Sequence, residues 1–183
     1  TLTNVLRLRL SNFDDTVTGG AGNDTFEVLN HQGSKVLNGA GGFDTYRYQG
    51  PGKIVADMAA GTVAKFDTLG AAGGNDQLAA IEYVAGGDGN DTLNGGAGND
   101  QFHGGRGTDL VNGGAGVDLL NMDDQTANAP AITTGVRVNL SGAEVVVGGV
   151  TLAANTALDA WATTDTVLNM ESAGGTAFAD ILV

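Results

Sequence analysis

The chain of 183 residues has no cysteine, which removes a disulfide framework and any thiol-based metal or redox site. A small domain without bridges needs another staple, and a bound metal is the commonest. Aromatic residues make up only 5% while 31 residues are glycine, so a thick globular core is excluded and a thin, repetitive one is expected. Positive charge is scarce: 8 Lys plus Arg face 21 Asp plus Glu, a formal net charge of −13. That balance repels phosphate backbones and anionic lipid headgroups, which argues against nucleic acid or membrane-surface partners and makes cations the natural counterpart. No stretch approaches the roughly 18 apolar residues of a spanning helix, and no basic segment followed by an apolar one opens the chain, so neither a membrane span nor a Sec-type signal is expected. Starting at Thr1 without Met and stopping at Val183 within a repeat phrase, the chain reads as a fragment or processed product.

Catalytic signatures are missing too. No serine is framed as G-x-S-x-G, and His31 and His103 stand far apart with neither an H-E-x-x-H motif nor a cysteine beside them. Carboxylates are many, but they recur at intervals instead of converging as a lone acid/base pair, so glycosidase chemistry and an enzyme in general are not expected. A sugar platform built from Trp161, Tyr46, Tyr48 and Tyr83 is conceivable on composition, though filling space is the simpler role for the tryptophan.

What the sequence does hold is a phrase of nine residues running four times without a gap: Gly86–Asn94 (GGDGNDTLN), Gly95–His103 (GGAGNDQFH), Gly104–Asn112 (GGRGTDLVN) and Gly113–Asn121 (GGAGVDLLN). Each has Gly at places 1, 2 and 4, Asp at place 6 and a large apolar residue at place 8. Further copies stand at Gly19–Glu27 (GGAGNDTFE) and, more loosely, Gly39–Arg47 (GAGGFDTYR), and Leu10–Thr18 is a degenerate copy with Asp15 at place 6. A Gly/Asp-rich linker does not put Leu93, Phe102, Val111 and Leu120 at one fixed place. A longer duplication joins the two halves, since Asp76–Asp91 (DQLAAIEYVAGGDGND) is echoed by Asp165–Asp180 (DTVLNMESAGGTAFAD), each preceded by an alternating segment, Lys53–Gly61 and Val136–Gly142, that reads as strand.

The nonapeptide resembles the calcium-binding repeat of RTX (repeats-in-toxin) proteins, G-G-x-G-x-D-x-U-x, strongly at 19–47 and 86–121 and weakly over nearly all the rest. The resemblance implies an all-β fold, a parallel β-roll with calcium in its turns, spanning 1–183 as one region. Residues 1–121 form a first unit, 122–164 a looser winding or projecting insertion around Pro130 and Trp161, and 165–183 a further, truncated repeat. It also implies ligation by the place-6 carboxylates Asp91, Asp100, Asp109 and Asp118 together with carbonyls of places 1 to 4: Gly86, Gly87, Asp88 and Gly89; Gly95, Gly96, Ala97 and Gly98; Gly104, Gly105, Arg106 and Gly107; Gly113, Gly114, Ala115 and Gly116. Asp24, Asp44, Asp76, Asp165 and Asp180 are further candidates for which plain turn chemistry is the competing reading.

Spacing alone adds a geometric expectation. If each phrase is a turn plus a short strand, alternate turns share an edge and stack about 4.8 Å apart. Asp91 then stacks on Asp109 and Asp100 on Asp118, and a divalent ion turns each repulsive pair into a coordination site, because calcium takes about 6 to 8 oxygen ligands. The 15-residue interval pairs Asp76 with Asp91 and Asp165 with Asp180, and Asp24 with Asp44 is a looser pair. Lys35, at place 6 of the Asn30–Asn38 phrase, and Ala71 and Ala72, replacing glycines before Asp76, mark turns expected to lack an ion.

The function implied is a non-enzymatic, calcium-stapled module of a larger secreted protein of adhesin or surface-layer type, exported without a Sec-type signal and folding in extracellular calcium. The alternative is the accessory domain of a secreted protease, lipase or alginate epimerase whose catalytic part lies elsewhere. Cell-surface polysaccharide or neighbouring copies of the parent are the further partners considered.

Overall fold

A computed structural model describes residues 7–123 and 134–183. The stretch around Pro130 lies outside the described residues. From the N-terminus, β1 (Leu8–Arg9), β2 (Asp15–Thr18), β3 (Thr25–Val28), β4 (Lys35–Asn38) and β5 (Thr45–Tyr48) alternate between two sheets. Three consecutive strands, β6 (Ile54–Asp57), β7 (Thr62–Phe66) and β8 (Ala72–Ala79), then stay in one sheet before β9 (Tyr83–Gly87), β10 (Thr92–Asn94), β11 (Gln101–Gly105), β12 (Leu110–Asn112) and β13 (Leu119–Asn121) resume the alternation. The C-terminal part comprises β14 (Arg137–Asn139), the separate hairpin β15 (Val145–Val147) and β16 (Val150–Leu152), β17 (Thr156–Leu158), β18 (Thr164–Leu168), β19 (Ser172–Gly174) and β20 (Ile181–Leu182). The fold is an all-β parallel roll, with no helix among the described residues and therefore none long and apolar enough to cross a membrane.

The first sheet, β1-β3-β5-β9-β11-β13-β19, is parallel throughout. The second runs β2-β4-β8-β7-β6-β10-β12-β18-β17-β14-β20 and is parallel except around β7 and β17. Place 8 of each phrase faces the interior. Phe26, Tyr46, Val84, Phe102 and Leu120 pair in sequence down the first sheet, and Ala56, Leu93, Val111 and Val167 down the second, all buried. These two facing files form the middle of a thin core, widened at β3, β5 and β6 by the buried Val28, Tyr48 and Ile54.

The glycines divide into two kinds. Gly105, at place 2, has φ +100°, a left-handed conformation that a side chain strains. Gly104, at place 1, has no such φ; a Cβ there would instead collide with the carboxylate of Asp109 in its own turn.

The long duplication reappears as topology. In each half, three antiparallel strands take the place of one winding: β8, β7 and β6 lie between β4 and β10, as β18, β17 and β14 lie between β12 and β20. Within the described part of 122–164, expected as a looser winding or a projecting insertion, β14 and β17 are strands of the second sheet and β15–β16 forms a sheet of its own. The 15-residue interval, moreover, is not one winding of a stack, because in each half two other strands separate its terminal aspartates.

Candidate metal centre

Asp24, Asp44, Asp91, Asp100, Asp109 and Asp118 each immediately precede a strand, so strand register decides which carboxylates meet. Along the first sheet the column is Asp24, Asp44, Glu82, Asp100, Asp118 and Glu171, knitted by a repeated bond in which one main-chain N–H donates to the next winding's carboxylate. Asp24 N–H donates to Asp44 Oδ1 (2.7 Å), Asp44 N–H to Glu82 Oε2 (2.8 Å), Asp100 N–H to Asp118 Oδ1 (2.8 Å) and Asp118 N–H to Glu171 Oε2 (2.8 Å). Along the second sheet, Ile54 N–H donates to Asp91 Oδ1 (2.7 Å), Asp91 N–H to Asp109 Oδ1 (2.7 Å) and Asp109 N–H to Asp165 Oδ1 (2.9 Å). The stacking of Asp91 on Asp109, Asp100 on Asp118 and Asp24 on Asp44 is therefore present. Glu82 and Glu171 were not among the expected site residues, although they hold equivalent places in the long duplication, and that was the available signal.

With Oδ1 spent on the ladder, the second carboxylate oxygen decides whether a cation fits. Oδ2 of Asp44, Asp91, Asp109 and Asp118 is buried and has no hydrogen-bond partner. Acceptors crowd these oxygens: a Cβ built on Gly86 would strike both Asp91 Oδ2 and the Gly104 carbonyl, one on Gly113 both Asp118 Oδ2 and the Asn169 carbonyl, and one on Gly39 both Asp44 Oδ2 and the Ala80 carbonyl. Carboxylate and carbonyl oxygens converging with no donor between them suit a hard cation. The place-1 carbonyl of the next winding is thus the one brought to the aspartate, while the place-2 carbonyls of Gly87 and Gly96 accept N–H bonds from Arg106 (2.7 Å) and Ala115 (2.9 Å). No group of three or more His, Asp or Glu side chains able to hold a metal occurs among the described residues, and what these turns present beside each aspartate is main-chain oxygen.

Not every candidate is of this kind. Asp24 Oδ2 accepts from Gly20 N–H (2.6 Å) and Asp100 Oδ2 from Gly96 N–H (2.9 Å), each closing its own turn. Asp180 is engaged by Val136 N–H (2.8 Å) and Thr176 N–H (2.7 Å). Asp165 stacks on Asp109 and not on Asp180, because β17 and β14 intervene. Asp76 does not stack on Asp91, because β7 and β6 intervene. Its carboxylate is saturated by protein, accepting from Lys65 Nζ (2.6 Å), Tyr46 Oη (2.7 Å) and Lys35 N–H (2.9 Å). The expected pairing of Asp76 with Asp91 is therefore absent, and Asp76 presents no unpartnered oxygen of the kind found at Asp91 and Asp109. Tyr46 and Tyr48 are wholly buried core residues, so the sugar platform is lost; Trp161 instead lies under the Arg106 guanidinium, 5.7 Å from its ring.

Burial shifts these acids. Desolvation, reinforced by Asp109, raises Asp91 well above the ordinary carboxylate value; desolvation raises Asp109 to about 7, and desolvation with the Asp109 charge raises Asp165 to about 8. Asp44 and Asp100 are raised mainly by the same loss of water. A carboxyl raised on folding keeps its proton in the ordered chain after the unfolded chain has lost it. It therefore stabilises the metal-free roll fully below the unfolded value of 3.8, and that stabilisation is lost as pH rises through about 7 to 8. In chelator, acidification from pH 8 to pH 4 is expected to increase the β circular dichroism. A signal that falls over that range would contradict the burial of these acids.

Comparison with known proteins adds one match: the model of the RTX calcium-binding nonapeptide repeat (4 copies) fits residues 7–28 and 85–120. No curated protein matches the chain in sequence.

Proposed function

Since residues 7–28 and 85–120 belong to the RTX calcium-binding nonapeptide repeat family, we propose that the chain is a non-enzymatic, calcium-stapled structural module of a larger secreted protein, ordered on meeting extracellular calcium. The observation that carries this reading is the set of four buried, unpartnered carboxylate oxygens at Asp44, Asp91, Asp109 and Asp118, of which those of Asp44, Asp91 and Asp118 face a main-chain carbonyl of the stacked turn. Calcium supplies positive charge and a coordination shell of about 6 to 8 oxygens. The chain's own part is to gather the acceptors: Asp91 with the Gly104 carbonyl on one edge, Asp44 with the Ala80 carbonyl and Asp118 with the Asn169 carbonyl on the other.

A structural module is favoured over a catalytic one because the ionisable groups recur with the winding and serve the turns that hold them. We infer an adhesin or surface-layer parent on the same ground, for such a module contributes length and order, not chemistry. In calcium-poor cytosol the acidic chain stays loose enough for export, and ions that bind only the folded form then stabilise it outside.

The test is calorimetric titration of the chelator-treated chain with calcium and, separately, magnesium. Calcium is expected to bind at several sites with a matching gain of β structure. Magnesium, which demands near-ideal octahedral geometry and gives up water reluctantly, is expected to produce little of either. Equal responses to the two ions, or no calcium binding, would overturn the reading.

A further inference from the structure

The two halves share a topology but not its charges. Asp76 on β8 and Asp165 on β18 hold equivalent places, and their neighbours across the sheet are Val63 on β7 and Ala157 on β17. Two residues beyond these lie Lys65 in the first half and Asp159 in the second. On the other side, the residue stacked on Asp76 is Lys35, whereas the residue stacked on Asp165 is Asp109. At two places where the second half has acids, the first has buried lysines.

Both ammonium groups point into the turn region. Lys65 Nζ donates to the Gly33 carbonyl (2.8 Å), at place 4 of one winding, and to Asp76 Oδ1 (2.6 Å), at place 6 of the next. Lys35 Nζ donates to the Phe13 carbonyl, at place 4 of the winding before it, lies 3.5 Å from the Gln32 carbonyl of its own turn and pairs with Asp15 Oδ2 at 3.4 Å. Each sits between stacked windings, held by a place-4 carbonyl and a place-6 carboxylate. A carboxylate oxygen and a main-chain carbonyl converge without a donor at Asp91 too, although the carbonyl there is that of Gly104 at place 1. Both lysine side chains are fully buried.

We propose that Lys35 and Lys65 are tethered cations that replace calcium in the turns carrying Asp15, Lys35 and Asp76, so that this edge of the windings of β2, β4 and β8 is held without metal while the windings of β10 to β13 require it on both edges. A covalently attached ammonium group is present at any calcium concentration. The module thus has a permanently neutralised end against which the calcium-dependent windings can stack. This inference rests on the calcium reading above for the metal-dependent part alone; the lysine part stands without it.

Hydrogen exchange followed by mass spectrometry on the full chain separates the two. In chelator, peptides covering 35–38 and 62–79 are expected to exchange at least about tenfold more slowly than those covering 92–94 and 110–121, and calcium should slow the second group by much the larger factor. Lys65→Met and Lys35→Met are expected to abolish the protection of 35–38 and 62–79 in chelator while leaving the number of bound calcium ions unchanged. In calcium, retained protection of 110–121 in the variants would show that the roll still forms. Exchange in chelator as fast at 62–79 as at 110–121 in the unsubstituted chain, or a calcium ion fewer in either variant, would overturn the tethered-cation proposal. Protection of 110–121 that ignores calcium would instead overturn the calcium reading, and the variants' exchange at 62–79 in chelator would still decide the role of the lysines.

Discussion

Removing calcium with a chelator is expected to cost the chain a large share of its β circular dichroism, and restoring millimolar calcium to return it. The magnitude follows from mass action. An ion present at about 100 times its dissociation constant stabilises the folded state by about 2.7 kcal/mol, so four such sites sum to about 11 kcal/mol, comparable with the whole stability of an ordinary domain. Little else is available to hold the windings of β10 to β13. Their core is two facing files, Leu93 with Val111 on one sheet and Phe102 with Leu120 on the other. Stacking also brings Asp91 beneath Asp109 and Asp100 beneath Asp118, and burial disfavours the charges of Asp91, Asp100 and Asp109. Without a cation, that repulsion and desolvation oppose the thin core directly. A spectrum that does not change between chelator and calcium would show that the core alone suffices and that the acids play no part in the balance.

Much of this was readable in the repeats themselves. Place 8 foretold the interior files, and an 18-residue period foretold the pairing of Thr92 with Leu110 and Gln101 with Leu119, because a strict repeat leaves the register one solution. The three-strand insertions were not readable. Lys53–Gly61 alternates as a strand should, but whether it stacks in parallel or turns back on the next segment depends on tertiary pairing that alternation does not encode. An interval of 15 residues matches one winding only where every segment stacks in parallel, and the returning strands β7 and β6 separate Asp76 from Asp91. Lys35 stood out as a departure from the phrase. Lys65 could not, since it lies on the returning strand β7 and in no phrase at all. Glu82 and Glu171 were hidden because the repeat pattern names aspartate at place 6, although a glutamate reaches the same ladder bond.

Substituting the ladder aspartates gives the sharpest separation of roles. Asp109→Ala removes the acceptor of the Asp91 N–H and one of the unpartnered oxygens that suit a cation. Losing one partner of a buried charged interaction costs about 3 kcal/mol, and if some four ions bind in one cooperative transition, the calcium midpoint rises about threefold. Glu144→Ala, at an exposed position beside the β15–β16 hairpin, should leave the midpoint in place. Asp76→Ala should act differently from both. Its partners are Lys65, Tyr46 and the Lys35 N–H, so its loss strands a buried ammonium group and weakens the chain in chelator and in calcium alike, with the number of bound ions unchanged. Circular dichroism titrations of the three variants, paired with calorimetric ion counts, check these outcomes. Equal midpoints for Asp109→Ala and Glu144→Ala would mean that the stacked carboxylates do not hold the metal, whatever the resemblance of the repeats.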